Sequence, residues 1–191
     1  MLHIDARITE VLTTPMRERF VTAPVPVLGV DLAGIPGDRH YGFARDAGAR
    51  EPWYRRGTKI RSGRQLTIVA AEELEEIARR MGVARIAPGW IGANVVVRGV
   101  VNFSMIPWGS RIFAGDGAVL VNEGENVPCR YAGAEIARAY PEFSELDTLF
   151  VKMAKHLRGV VASVERAGDI MAGPARIRVA PQNNWTGGRL L

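Results

Sequence analysis

Short apolar runs separated by glycine and proline are the feature of this sequence that most restricts its fold. The chain has 21 glycines and 11 prolines among 191 residues, and several of the runs between them are rich in the β-branched residues that favour strands. The predicted strands cover residues 4–14, 25–32, 64–70, 93–101, 111–114, 118–123, 160–165 and 175–179. No strand–helix–strand rhythm recurs. The pattern therefore predicts a mainly β (α+β) fold, a closed or nearly closed β-barrel with helices packed outside it.

Two segments have the periodicity of amphipathic helices, with one apolar face each. The apolar positions are Leu74, Ile77, Ala78 and Met81 in the first segment and Leu146, Phe150, Met153 and Leu157 in the second. Gly82 and Gly159 follow these segments as terminators. Both helices are predicted to support the scaffold rather than to carry chemistry.

Length, composition and charge limit the class of protein. A chain with 47% hydrophobic and 24% charged residues is typical of a globular protein, and we expect one domain over residues 1–191. It has no apolar run long enough to span a membrane, and its first residues lack the basic and apolar regions of a signal peptide. With a single cysteine, these features predict a cytoplasmic protein without a membrane partner. The net charge of +5 admits nucleic acid or an anionic small molecule as ligand.

Cys129, the only cysteine, lies in the sequence N-V-P-C-R-Y-A-G. Asn126 is predicted to cap a helix and Pro128 to lie in its first turn, which would put Cys129 near a helix N-terminus. The helix dipole and the neighbouring Arg130 would then favour the thiolate, the nucleophilic form of the thiol. A lone cysteine is equally often a packed, buried residue. The local sequence leaves both interpretations open.

A shaped loop and a basic segment supply the other candidate residues. The loop of residues 34–43, G-I-P-G-D-R-H-Y-G-F, presents Asp38, Arg39 and His40. For Asp38 we expect turn capping and orientation, and for His40 a structural hydrogen bond. The segment 42–63 has no clear periodicity, and it contains two aromatic residues and many cations: Trp53, Tyr54, Arg45, Arg50, Arg55, Arg56, Lys59 and Arg61, with Arg64 just beyond. As a group these residues indicate an anion-binding flap, although each arginine alone is better explained by a solvated basic loop.

Several common motifs are absent. The sequence has no Walker loop, no dinucleotide-binding glycine fingerprint and no H-E-x-x-H motif. Its three histidines are far apart in sequence, and one cysteine cannot make a cysteine-rich zinc site. No metal site is therefore predicted from these residues alone.

The order of four motifs resembles the MOSC domain, which is found at the C-terminus of molybdenum-cofactor sulfurases and as small stand-alone proteins. The motifs are G-I-P-G-D-R-H-Y-G, I-G-A-N-V-V-V-R-G-V, P-W-G-S-R-I-F-A-G-D-G-A-V-L-V and V-P-C-R-Y-A-G, and the likeness covers residues 25–179. Two departures concern the ligand: E-N-V-P-C precedes the cysteine where many relatives have T-x-P-C or Q-P-R-x-P-C, and Ala93 stands where many have glutamate.

The resemblance implies a barrel of the MOSC or pyruvate-kinase-barrel-like type and a cysteine that carries a persulfide or binds molybdenum. Cys129 takes the place of the family cysteine, and Gly37, Asp38 and Arg39 match its G-D-R loop. The implied cofactor is the molybdenum cofactor (molybdopterin), an anionic pterin. Because the chain has no aminotransferase-like desulfurase domain, a separate cysteine desulfurase would supply sulfur, and pyridoxal phosphate is not expected here.

The leading hypothesis is therefore a sulfur carrier or sulfurtransferase in which Cys129 forms a persulfide and arginines hold a ligand phosphate. The alternative is a molybdenum-cofactor oxidoreductase with Cys129 as metal ligand. A basic nucleic-acid-binding module is the third and least favoured class. The candidate cofactor-binding residues are Gly37, Asp38, Arg39, His40, Arg55, Arg56, Arg61, Arg64 and Arg130. We expect the loop 34–43 and the turn 127–130 to share one rim of the barrel, with the segment 42–63 covering or bordering a pocket beside the sulfur.

Overall fold

The computed structural model of the protein describes residues 2–14, 20–114 and 117–181. Its strands are β1 (His3–Thr13), β2 (Ala23–Val25), β3 (Leu28–Val30), β4 (Ala44–Asp46), β5 (Lys59–Arg61), β6 (Leu66–Ala70), β7 (Val95–Arg98), β8 (Arg111–Ala114), β9 (Ala118–Glu125), β10 (Val160–Arg166), β11 (Gly168–Ile170) and β12 (Gly173–Arg178). Its helices are α1 (Ala71–Met81), α2 (Arg130–Ala139) and α3 (Leu146–Met153), with 3-10 turns at Pro88–Ile91 and Phe103–Met105.

Seven of the described strands close into a barrel. Their order is β12-β8-β9-β10-β6-β7-β1, and β1 pairs with β12 to complete the circle. The pairing of β6 with β7 is parallel, and the other pairings of the barrel are antiparallel. Strand β2 adds to β1 outside the circle, whereas β3 pairs with β11 and β4 with β5 in separate two-stranded sheets. Closure pairs the edges that an open sheet would leave exposed.

The barrel interior is filled by aliphatic side chains from the inward positions of the strands. Ile68, Val95, Leu120, Val160 and Ile177 are fully buried there. Burying one such side chain is worth roughly 1.5–3 kcal/mol, so this layer accounts for much of the driving force for closure. Because the interior is packed with side chains, a ligand site must lie at the end or on the outside of the barrel.

The three helices form a second core against the outer wall. Ile77 of α1, Ile136 of α2 and Phe150 of α3 are fully buried in this layer, and Cys129 packs at its margin. Helices α2 and α3 approach closely at Gly133, where an added Cβ would lie 2.4 Å from the carbonyl oxygen of Asp147. This contact fixes the first turns of α2, and with them Cys129, against α3.

The predicted fold class, a closed β-barrel with peripheral helices, is confirmed. Gly82 ends α1 in the left-handed conformation with φ 68°, as predicted. The predicted strand 25–32 is instead two short strands, β2 and β3, because Pro26 interrupts the region. Helix α3 ends at Met153, earlier than the apolar spacing suggested. The predicted turn between β8 and β9 lies partly outside the described residues. Within the described ranges, no helix has the length and apolar character needed to cross a membrane.

Candidate functional site

A cavity of about 1090 Å³ brings the two predicted site regions together. Asp38, Arg39 and His40 from the loop 34–43 line it, as does Cys129 from the turn before α2. Both regions therefore border one cavity, and Cys129 lies beside it, as expected. The role of each residue in binding or chemistry stays a prediction.

Cys129 is the N-cap residue of α2, with extended backbone angles of φ −139° and ψ 157°. Its carbonyl oxygen accepts a hydrogen bond from the N–H of Gly133 at 3.2 Å, while its side chain makes no capping bond. The sulfur is therefore not used in closing the helix end, and it lies where the positive end of the helix dipole favours an anion. The partly exposed Cys129 thus has the position expected of a reactive thiol, although it also contacts the outer core.

Asn126 does not cap α2, which corrects the prediction. Its N–H donates to the carbonyl of Gly159 at 2.8 Å, so the chain at Asn126 is still held against the strand region and reaches the helix three residues later. The buried Asn126 side chain accepts a hydrogen bond from Arg64 at 3.2 Å and donates one to Thr67 at 3.3 Å. Asn126 therefore positions Arg64 next to the thiol instead of starting the helix.

Arg64 lines the cavity, and its pKa is altered by burial and by the charges around it. Burial, together with the nearby charges of Arg50 and Arg45, lowers the pKa of Arg64 to about 10, while Glu51 and Cys129 act in the opposite direction. Arg64 remains protonated at neutral pH. It therefore provides a partly buried cation on the same cavity wall as Cys129.

Arg158 is the functional candidate that the sequence interpretation missed. The residue lies between α3 and β10, is 3% exposed and lines the cavity. One of its terminal N–H groups donates to the carbonyl of Ile91, but Nε and Nη1 have no hydrogen-bond partner among the described residues. Burial lowers the pKa of Arg158 to about 10, and the Cys129 charge partly offsets that effect. A buried cation with unused donors beside a thiol is what an anion-binding site requires.

Asp38 organises the loop that carries Arg39. Its Oδ1 accepts the N–H of His40 at 2.8 Å and lies 3.1 Å from His40 Nδ1, while its Oδ2 accepts the Thr14 hydroxyl at 2.7 Å. Burial would raise the pKa of Asp38, but the hydrogen bonds from His40 and Thr14 outweigh burial and hold it below its usual value. This geometry agrees with the expected capping role for Asp38 and the structural hydrogen bond for His40. Gly37 adopts φ 84° in the same loop and does not line the cavity.

The basic segment 42–63 borders the cavity, as expected, but it is a hairpin rather than an irregular flap. Strands β4 and β5 pair, and residues between them, including Gly48 and Arg50, line the cavity. Glu51 accepts hydrogen bonds from Arg45 at 2.6 Å and from the N–H of Gly48 at 2.9 Å. The bond from Arg45 is the main reason that the pKa of Glu51 falls to about 2. The ion pair between Arg45 and Glu51 holds the loop between β4 and β5 in a compact conformation beside the cavity.

Four of the predicted arginines do not line the cavity. Arg61 pairs with Glu123 at 2.7 Å, and Arg130 donates to Asp147 at 2.9 Å from Nε. Arg55 and Arg56 are exposed in the loop between β4 and β5. Nearness in sequence to the loop or to Cys129 did not predict nearness to the cavity, because local backbone geometry decides where each side chain points.

No metal centre is formed by the protein alone in the part of the chain that the structure describes. There, no three His, Cys, Asp or Glu side chains are grouped so that they could hold a metal ion. A metal at the cavity would have Cys129 as its soft protein ligand and would need further donors from its own organic ligand.

Comparisons with known proteins agree with this geometry. The MOSC domain model matches residues 37–175. YuaD of Bacillus subtilis (strain 168), whose name refers to metal-sulfur cluster biosynthesis, is 47% identical over 154 residues, which cover 81% of this chain and 80% of YuaD. The crystal structure of the Bacillus subtilis YUAD protein matches with a TM-score of 0.91 and 40% identity, over 94% of this chain and 99% of that chain. YiiM from Escherichia coli shares the fold alone, with a TM-score of 0.59 and 18% identity over 93% of this chain and 72% of that chain. This chain therefore belongs to the MOSC domain family.

Proposed function

We propose that this protein is a sulfur carrier in which Cys129 holds a sulfur atom as a persulfide for molybdenum-cofactor chemistry. The observation that carries the proposal is the shared cavity of a helix-N-terminal thiol and a buried arginine, Arg158, with unpartnered N–H donors. Family membership and the name of YuaD, which refers to metal-sulfur cluster biosynthesis, support a role in sulfur metabolism of this kind.

Loading of the carrier needs one sulfur-transfer step. The Cys129 thiolate attacks the outer sulfur of a donor persulfide, a new S–S bond forms, and the donor cysteine leaves as a thiolate. No net oxidation occurs, because the sulfane sulfur moves between two thiolates. The N-terminal amides of α2 and the charges of Arg64 and Arg158 stabilise the anionic persulfide product. An acceptor thiolate then takes the outer sulfur and regenerates Cys129.

The ligand that we propose is an anionic pterin, the molybdopterin of the molybdenum cofactor. The cavity of about 1090 Å³ is slightly larger than the size usual for small-molecule sites. Arg64, Arg158 and the exposed Arg39 offer guanidinium groups that suit a phosphate, so the residues present fit the group. A bound molybdenum centre would supply a thiophilic metal beside the persulfide. This chain would hold the phosphate and keep the sulfur next to the ligand.

Mass spectrometry of the loaded protein tests the proposal. The wild-type protein is incubated with a cysteine desulfurase and cysteine, and the peptide containing Cys129 is then examined for one added sulfur atom. We expect the addition in the wild type and none in Cys129→Ser. A desulfurase that leaves Cys129 unmodified, while it loads a known carrier in parallel, would contradict the proposal.

The same preparation addresses the alternative, an oxidoreductase in which Cys129 coordinates molybdenum. The measurement is the molybdenum content of protein produced with cofactor supply, for the wild type and for Cys129→Ser. Molybdenum retained only by the wild type, without persulfide on Cys129, would favour the oxidoreductase.

A further inference from the structure

The carboxylates that line the cavity are already occupied by partners within the protein. Asp38 is bound by Thr14 and His40, and Glu51 by Arg45 and a backbone N–H. The remaining pairs are Asp46 with Lys59 and Glu135 with Arg138. Within the described ranges, none of these four carboxylates forms an ion pair with Arg64 or Arg158, although the charge of Glu51 acts on Arg64 from a distance.

Several of the arginines that line the cavity have few or no hydrogen-bond partners within the described part of the protein. The structure assigns no hydrogen bond or ion pair to Arg39 or Arg50 among the described residues. Arg158 is 3% exposed and has two unpartnered N–H groups, and Arg64 donates to the neutral side chain of Asn126. A buried guanidinium with free donors is costly unless an anion enters the cavity to meet it. The thiol of Cys129 lies on the same wall.

We propose that Cys129 also takes sulfur directly from a small sulfur oxyanion of the thiosulfate class, whose oxygens are bound by Arg158 and Arg64. This inference rests on the proposed persulfide at Cys129 and names a second class of donor for it. The guanidinium fork matches an oxyanion that offers several acceptor oxygens. Because Arg158 is buried, only a ligand small enough to enter the cavity can use its free donors.

The step balances without an added oxidant or reductant. The Cys129 thiolate attacks the outer sulfur of thiosulfate, the Cys129 S–S bond forms, and the S–S bond of thiosulfate breaks. The electron pair of that bond leaves with sulfite. Arg158 and Arg64 stabilise the charge that moves onto the sulfite oxygens as the bond breaks, in the manner of oxyanion stabilisation.

The test is a single-turnover reaction of the purified full-length protein with thiosulfate. Sulfite release and the gain of one sulfur atom on Cys129 are measured together. We expect one sulfite for each persulfide in the wild type and neither product in Cys129→Ser. Loss of a charged hydrogen-bond partner predicts a rate about ten- to hundredfold lower in Arg158→Met and in Arg64→Gln.

Three comparisons isolate the role of the oxyanion subsite. Arg79→Gln removes a positive charge from the exposed surface of α1, away from the cavity, and should leave the rate unchanged. A neutral organic trisulfide should react with the Cys129 thiolate to give a mixed trisulfide and one free thiolate, nearly as fast in Arg158→Met as in the wild type. Sulfate has similar oxygens but no sulfane sulfur, so it should compete with thiosulfate for the arginines and inhibit the reaction of the wild type. This comparison does not depend on whether a variant folds.

The outcomes separate this inference from the proposed function. Loading by the desulfurase without any sulfite from thiosulfate would overturn the inference and leave the carrier function standing. Sulfite release that is insensitive to sulfate and to both arginine substitutions would also overturn it, because the thiol would then react without the subsite. If neither donor loads Cys129, the inference and the proposed function both fail.

Discussion

Arg158→Met should make the protein more stable while it weakens the site. Arg158 is a buried cation with two unpartnered N–H groups, and burial lowers its pKa to about 10. Methionine fills a similar volume without charge or polar hydrogen. The substitution therefore removes an unfavourable burial and keeps most of the packing, as seen when apolar residues replace buried charges in other proteins.

The size of the effect follows from two opposing contributions. One pKa unit corresponds to about 1.4 kcal/mol, so the lowered pKa of Arg158 represents about 3 kcal/mol of unfavourable burial at neutral pH. The variant loses the hydrogen bond from the charged guanidinium to the Ile91 carbonyl, which is worth at least about 1.5 kcal/mol. The net expectation is therefore about 1.5 kcal/mol of added stability. The gain in stability is expected at neutral pH because Arg158, despite its lowered pKa, is charged in both the folded and the unfolded states. The cost of burying this charge disappears only at strongly alkaline pH, where Arg158 loses its proton.

Thermal unfolding followed by circular dichroism measures this difference. For a chain of this size, about 1.5 kcal/mol raises the midpoint by roughly 3–6 °C. Arg158→Lys is the matched control, because it keeps a buried charge and should not gain stability. A midpoint for Arg158→Met at or below that of the wild type would refute the reasoning, since it would mean that Arg158 is satisfied in the folded protein and stabilises it.

The remaining predictions concern the thiol, the loop and the helix contact. Cys129 should react with iodoacetamide at neutral pH faster than a free cysteine peptide does; reaction only after unfolding would identify it as a packed core residue. Arg39→Ala should weaken binding of a phosphate-bearing pterin about ten- to hundredfold, with an unchanged unfolding midpoint, because the side chain is exposed. The lowered pKa of Asp38 contributes stability that is present above its unfolded pKa of about 3.9 and is lost as the pH falls through the folded pKa. Asp38→Asn should therefore flatten the acid side of the stability–pH curve measured in urea, and an unchanged curve would contradict this. Gly133→Ala should destabilise the protein by about 1–3 kcal/mol in the same assay, since its Cβ would clash with a backbone carbonyl; a neutral result would show that α2 and α3 can separate freely.

The barrel was predictable because its determinants are local. Valine- and isoleucine-rich runs between glycines and prolines indicate strands, and the absence of a recurring strand–helix rhythm argues against a doubly wound sheet. The convergence of Asp38 and Cys129 was expected because the proposed chemistry needs both residues at one ligand, and because loops at one end of a barrel lie close together. Both predictions, the barrel and the meeting of the two regions, depend little on the conformation of individual side chains.

The arginines could not be assigned in the same way. Arg61 lies in a strand, where alternation sends it toward Glu123, and Arg130 turns toward Asp147 on the facing helix. Arg158 is distant in sequence from every candidate motif, and it lies in the segment between α3 and β10, where it lines the cavity. The signal available was a charged residue placed directly before Gly159 and the apolar strand β10, a position where burial without a partner would be costly.

Because the barrel closes through the pairing of β1 with β12, the barrel can be completed only late in the synthesis of the chain. Asp5 and Arg176 are register partners and are 171 positions apart in the sequence. At roughly 5–20 residues per second, a ribosome takes about ten to thirty seconds to make the intervening chain. Throughout that time the edge of β1 that pairs with β12 in the folded protein lacks its partner. This exposed edge can pair wrongly with a strand of another nascent chain. Expression yield should therefore respond to chaperones that shield exposed strands, more than expected from the stability of the finished protein.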